Sequence, residues 1–163
     1  MVKIMGTIFI IICLIGIPYG LAFYIFESKK KIKSYDAFLI NENMPYDLQQ
    51  GKLIFNETDI ECLGPYPCRG RIDQGFLVEN KFVPLDTKTR KRHRYYESDV
   101  IQLSLYAYIV YHRYRLAPAC YGYVRTVVFH STGKSVEYHY VKLYGFAYLE
   151  QNYLTKKDIY AAV

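Results

Sequence analysis

From Ile4 to Phe26 the chain reads IMGTIFIIICLIGIPYGLAFYIF, without one charged side chain. At about 1.5 Å per residue, a helix of that length crosses a hydrocarbon core about 30 Å thick. Pro18 fits such a helix as a kink. The rival is a cleaved signal peptide, whose apolar region is shorter and ends at small residues. Here bulky aromatics and Ile fill the C-terminal end, and the length favours a retained anchor. Lys3 precedes the run, and Lys29, Lys30, Lys31 and Lys33 follow it. The excess of positive charge puts the remainder of the chain in the cytoplasm and the N-terminus outside. The same lysines suit anionic headgroups. Asn56-Glu57-Thr58 is a glycosylation triplet that points the other way. Such triplets arise often by chance, so the lysines decide the orientation: a single-pass membrane protein.

Behind the anchor, a basic linker over 27–35 leads to one domain over 36–163. The whole chain has 163 residues and a formal charge of +6, which permits an anionic partner such as nucleic acid or lipid. Its 19 tyrosines supply apolar surface and argue against disorder. Cysteines stand at 13, 62, 68 and 120, and CLGPYPC fits no common zinc spacing. Free buried thiols are expected. A Cys62–Cys68 disulfide stays open for an oxidising compartment, as it would if the N-terminus were cleaved.

Periodicity outlines the domain. Ser34-Tyr35-Asp36 caps a short helix through Ile40, and the polar stretch to Gly51 reads as loop. Strands are expected at 53–63, 69–79 and 81–88, with Gly64–Pro67 as a loop and Glu79-Asn80-Lys81 as a hairpin turn. From Glu97 the period changes: Val100, Leu103, Ala107 and Val110 make one helix face through Tyr114, with Ser98 as N-cap. Two further strands, 119–130 and 134–144, flank a turn at Ser131-Thr132-Gly133. Thr155 caps a last helix, KKDIYAA. The fold class is therefore α+β, a single domain on a membrane stalk.

The chemistry concentrates around VPLDTKTRKRHRYYESDVIQLSLY, Val83 to Tyr106. Asp73 and Asp86 fall on adjacent expected strands, where two carboxylates can share a hard divalent cation. Lys88, two residues after Asp86, points to the same strand face. An ammonium there can stabilise charge developing on a phosphate. Any strand end can carry Asp-x-Lys, so the triplet alone decides nothing. Gln102 and Tyr106, one turn apart, share a helix face at the border of the apolar stripe; a solvated face gives the same spacing.

GRID (Gly70–Asp73), VPLDTK (Val83–Lys88), a basic loop and QLSLY (Gln102–Tyr106) come in the motif order of RecB-like nucleases. The chain resembles that branch of the PD-(D/E)xK superfamily, which includes the CRISPR-associated adaptation nucleases, over roughly Arg69 to Phe129. The resemblance implies a restriction-endonuclease-like core, a mixed central sheet flanked by helices. It implies Mg²⁺- or Mn²⁺-dependent hydrolysis of phosphodiester bonds in DNA, as an exonuclease or endonuclease. Asp73 and Asp86 become metal ligands, Lys88 the catalytic lysine, and Gln102 and Tyr106 the active-site helix residues. A histidine that many members carry upstream has no match, since His93, His112, His130 and His139 all follow Asp86. Glu42 and Asp47 are candidates for its place. Cys120 is the only cysteine after the helix, so no iron–sulfur cluster is expected.

The run KTRKRHR has two readings. As a solvated loop it does nothing further. Beside a phosphodiester-cleaving site, Arg90, Lys91, Arg92 and Arg94 would grip DNA backbone, and Tyr95 and Tyr96 would stack on unpaired bases. The rival to an active nuclease is a subunit of a membrane complex that keeps this fold for binding DNA or protein.

Overall fold

A computed structural model of the chain describes residues 42–155. The expected anchor at 4–26, the linker, the helix before Ile40, Cys13 and the helix after Thr155 lie outside the described residues. Among those residues no helix is long and apolar enough to cross a membrane. The compact unit begins at Met44.

Its frame is a five-stranded mixed sheet flanked by helices, with strand order β1-β2-β3-β4-β5. The strands are β1 (Lys52–Cys62), β2 (Cys68–Val78), β3 (Lys81–Thr89), β4 (Tyr121–His130) and β5 (Gly133–Lys142). All neighbours run antiparallel except β3 and β4, which are parallel. A parallel pair cannot be joined by a tight turn. The helix read from the change of period, α2 (Glu97–Tyr114), makes the crossover. After α2 the chain passes beside Phe82, whose N–H donates to Ala117 O and whose carbonyl accepts from Ala119 N–H. That short parallel bridge at Pro118 aligns β4 with β3.

The turns follow local chemistry. Glu79 and Asn80 both take positive φ, 47° and 62°, as a two-residue hairpin turn between right-twisting strands requires. Val78 then pairs with Lys81. At the second hairpin His130 pairs with Gly133 across Ser131-Thr132.

Leu103, Tyr108, Ile109 and Val110 of α2 are buried against Ile60, Ile72, Phe82, Val124 and Val141 of the sheet. Each such side chain contributes about 1.5–3 kcal/mol on leaving water. Three features depart from the sequence reading. The stretch before Gly51 is not all loop: α1 (Tyr46–Gln50) follows Pro45 and buries Leu48 completely. With one inward residue in five, it shows no helical period. The N-cap of α2 is Tyr96, not Ser98. Asp99 supplies the cap from inside the helix, accepting the Tyr96 N–H at 2.8 Å. Finally, after β5 a short helix, α3 (Phe146–Leu149), continues into a π-helical turn, Glu150–Leu154. Its entry is fixed by Ser104 Oγ, which accepts the Tyr144 N–H at 3.0 Å.

Candidate active site

The last paired residues of β2 and β3 are Gln74 and Leu85. Asp73 and Asp86 come next along each strand, where the backbone pairing ends. A side chain takes over there: Asp73 Oδ2 accepts the Thr87 N–H at 2.8 Å. The end of one strand pair is thus where both carboxylates converge. The apolar approach Phe82–Leu85, buried throughout, delivers Asp86 to that point from inside the fold.

Asp86 is 2% exposed. Burial pushes its pKa up to about 6, the charges of Asp73 and Asp99 add to the rise, and Lys88 opposes it. The Lys88 ammonium stands 3.0 Å from Oδ2. That ion pair is the one polar contact of this oxygen among the described residues.

Gln102 closes the arrangement from α2. Its Oε1 accepts from Lys88 Nζ at 2.8 Å, and its Nε2 donates to Asp86 Oδ1 at 3.2 Å and to the Tyr106 hydroxyl. Tyr106 in turn donates to the Arg71 carbonyl of β2. Its phenol is pushed up to about 12, by burial first and then by the charges of Asp86 and Asp73. Every polar atom of the Gln102 amide has a defined partner, which fixes its orientation. Gly70 makes room for this: a Cβ there would meet Tyr106 Cε1 at 2.8 Å.

The five residues read from the sequence as a site, Asp73, Asp86, Lys88, Gln102 and Tyr106, are therefore brought together. The site fits a hard cation on one observation, the buried Asp86 Oδ2, which among the described residues meets only the Lys88 ammonium. Asp73, beside it at the end of the strand pair, is the natural second ligand. Gln102 and Tyr106 also border a cleft of about 740 Å³ between α2 and the Cys62–Cys68 end of the β1–β2 hairpin.

The basic loop divides. Arg90 turns inward: its guanidinium makes two 2.7 Å bonds to Asp99, which is 3% exposed, and lies 4.4 Å over the Tyr96 ring. It fastens the loop to the start of α2. Lys91, Arg92 and Arg94 are exposed, and Arg94 lies 5.1 Å from the same ring. Tyr95 is exposed and packs 5.6 Å from His139.

Asp47, weighed as an upstream acid, is elsewhere. It accepts from the Tyr121 and Tyr123 hydroxyls, and Tyr123 pairs with Leu85. Side chains alternate along a strand, so Asp47 serves the sheet face opposite Asp86. Cys62 and Cys68 pair directly across β1 and β2 as free thiols with Sγ atoms 3.4 Å apart.

Two groups escaped the sequence reading. Asp99, not singled out in the sequence, is buried and bonded to Arg90 and Tyr96. His93 and His139 both contact the buried Thr126 hydroxyl, at 2.8 and 2.9 Å. Spacing gave no signal for the histidines, because Thr126 is distant from both in sequence; Asp99 lies three residues after Tyr96, which is no usual cap residue. No protein-family model matches the chain, and a search of curated proteins finds no similar sequence.

Proposed function

We propose that this chain is a membrane-anchored, divalent-metal-dependent DNA nuclease of the RecB-like, PD-(D/E)xK type, with its folded domain on the cytoplasmic side. The observation that carries the reading is Asp86: a buried carboxylate whose Oδ2 is met by the Lys88 ammonium alone among the described residues, with Asp73 beside it and Lys88 on the same strand face. The three-strand meander, the crossover helix and the parallel β4 strand are consistent with a restriction-endonuclease-like core.

In this reading Asp73 and Asp86 hold Mg²⁺ or Mn²⁺. The bound ion would polarise the scissile phosphate and lower the pKa of a coordinated water. Lys88 offers a fixed positive charge for the negative charge that develops on the phosphate oxygens. Gln102 holds the Lys88 ammonium and the Asp86 carboxylate in one geometry. Tyr106, 2% exposed, is a positioning residue that ties Gln102 to β2. Lys91, Arg92 and Arg94 neutralise DNA backbone, and Tyr95 is placed to stack on an unpaired base.

The test incubates the full chain, purified in mild detergent, with single- and double-stranded DNA and Mn²⁺ or Mg²⁺. Cleavage is expected, with loss in Asp86→Ala and Lys88→Ala. Equal cleavage by parent and variants would refute the assignment.

A second reading, a non-catalytic subunit binding DNA or protein, draws on the position of Asp47 across the sheet from the site. It requires a folded protein that cleaves no DNA at any metal concentration.

A further inference from the structure

On the α2 side of the sheet, three adjacent strands carry two rows of side chains. Asp86, Val124 and His139 form one row, and Lys88, Thr126 and Glu137 the next. The outer column, Glu137 and His139, lies two strands from the Asp86 site, roughly 10 Å at the usual strand spacing. That is too far for a two-metal cluster, whose ions stand about 4 Å apart. Over this column His93 descends from the basic loop.

One donor atom each of His93, Glu137 and His139 lies within 4.8 Å of the others. The His93 Nδ1 is 4.0 Å from one Glu137 oxygen, and the His139 Nδ1 is 3.7 Å from the other. Ligands on a tetrahedral ion with bonds of about 2.0–2.1 Å sit roughly 3.4 Å apart, so each histidine closes on Glu137 by about half an ångström and the widest pair by about 1.4 Å at most. The other ring nitrogens are already held. His93 Nε2 bonds Ser135 Oγ at 2.7 Å, and His139 Nε2 bonds Thr126 Oγ1 at 2.9 Å. Metal-binding histidines are commonly oriented in this way through the nitrogen that does not bind the ion. With Nε2–H donating to Ser135, His93 Nδ1 carries its lone pair, and Thr126 bonds that atom at 2.8 Å. Binding an ion exchanges that one hydrogen bond for a metal–nitrogen bond.

We infer that His93, Glu137 and His139 form a second metal site, for a first-row transition dication such as Zn²⁺, which clips the basic loop to β5. Two imidazoles and one carboxylate make a ligand set of borderline softness, suited to zinc and its neighbours and poorly suited to Mg²⁺. The pocket floor, Thr126, is fully buried, while Glu137 is exposed, so the site opens to solvent on one side for entry and for a water ligand. Because His93 lies between Arg92 and Arg94, an ion here fixes the exposed cations relative to the sheet.

The experiment uses the full chain carrying Asp86→Ala, stripped with chelator and titrated with Zn²⁺ alone. One equivalent binds with micromolar or tighter affinity. His93→Gln, which keeps a hydrogen-bonding side chain, and Glu137→Gln each weaken it about 100-fold, and Ser135→Ala about 10-fold. Thermal melts confirm that each variant is folded. Zinc also slows tryptic cleavage at Lys91 to Arg94 in the Asp86→Ala chain, and not once His93→Gln is added. Absence of a bound equivalent, or binding unchanged by His93→Gln and Glu137→Gln, overturns the site and leaves a hydrogen-bond network. Asp86→Ala removes the nuclease site, so the two readings fail separately.

Discussion

Gln102 donates to Asp86 across 3.2 Å, so an amide on α2 and a carboxylate on β3 share one proton bridge. The same amide accepts from Lys88. Each of the three groups limits what the others can do. Asp86 Oδ2 meets the Lys88 ammonium at 3.0 Å, and Gln102 holds the same ammonium. Such an arrangement is poor for stability and suited to a ligand that brings positive charge.

The Asp86→Asn variant tests that balance. A carboxyl whose folded pKa lies near 6, above its unfolded value of 3.8, stabilises the fold below pH 3.8. That contribution is lost as pH rises through 6. The full difference amounts to about 3 kcal/mol, in which the opposing charge of Lys88 is already counted. In chelator at pH 7.5, Asp86→Asn should melt several degrees above the parent, and the gap should close toward pH 4.5. Mn²⁺ should raise the parent's melting temperature and leave the variant's unchanged. A gap independent of pH between 4.5 and 7.5 would show that Asp86 ionisation has no such effect.

Tyr106→Phe removes the hydroxyl that joins Gln102 to the Arg71 carbonyl. Both groups then lose a buried partner, at about 1–3 kcal/mol. The expected phenotype is a kcat lowered about 10-fold with KM and metal affinity nearly unchanged, because the ligands themselves stay. Gly70→Ala should reproduce it by another route, since the new Cβ collides with the Tyr106 ring. Normal kcat in both variants would remove Tyr106 from the positioning role.

How much of this was legible beforehand follows from where each signal resides. The strands, both hairpin turns and α2 came from period and turn residues within a dozen positions. The five-residue constellation also emerged, through motif order. Cap and loop chemistry did not. Tyr96 is no usual N-cap residue, and Asp99 reaches back to it while paired with Arg90 from the preceding loop. The His93–Thr126–His139 contacts depend on β4–β5 register, which spacing does not disclose. α1 and the turn after Gly145 are too short to show a period.

The thiols should differ sharply in reactivity. Burial, then the neighbouring Cys62, pushes Cys68 well above the usual thiol range, while Cys120 is exposed. With iodoacetamide at pH 8 and peptide mapping, Cys120 should be alkylated readily and Cys68 scarcely in native protein, because the thiolate is the reactive form. Comparable rates at the two would show that the surroundings of the half-buried Cys68 do not hold its thiol protonated.

The arginines of the basic loop should separate into two kinds. Arg90→Ala leaves the Asp99 carboxylate, 3% exposed, without the guanidinium that makes both 2.7 Å bonds. Breaking a buried pair by removing one partner costs about 3 kcal/mol or more, a loss of roughly 8 °C in melting temperature for a chain of this size. Lys91→Ala and Arg92→Ala touch no such partner and should stay within about 0.5 kcal/mol of the parent. In DNA binding the order reverses. Lys91 and Arg92 should each weaken affinity across sequences and lower the salt dependence by about one released counterion. Arg90→Ala, measured well below its melting temperature, should keep the parental salt slope. If Arg90→Ala lowers that slope as much as Arg92→Ala does while leaving stability intact, the division of the loop into one internal fastening and three outward charges is wrong.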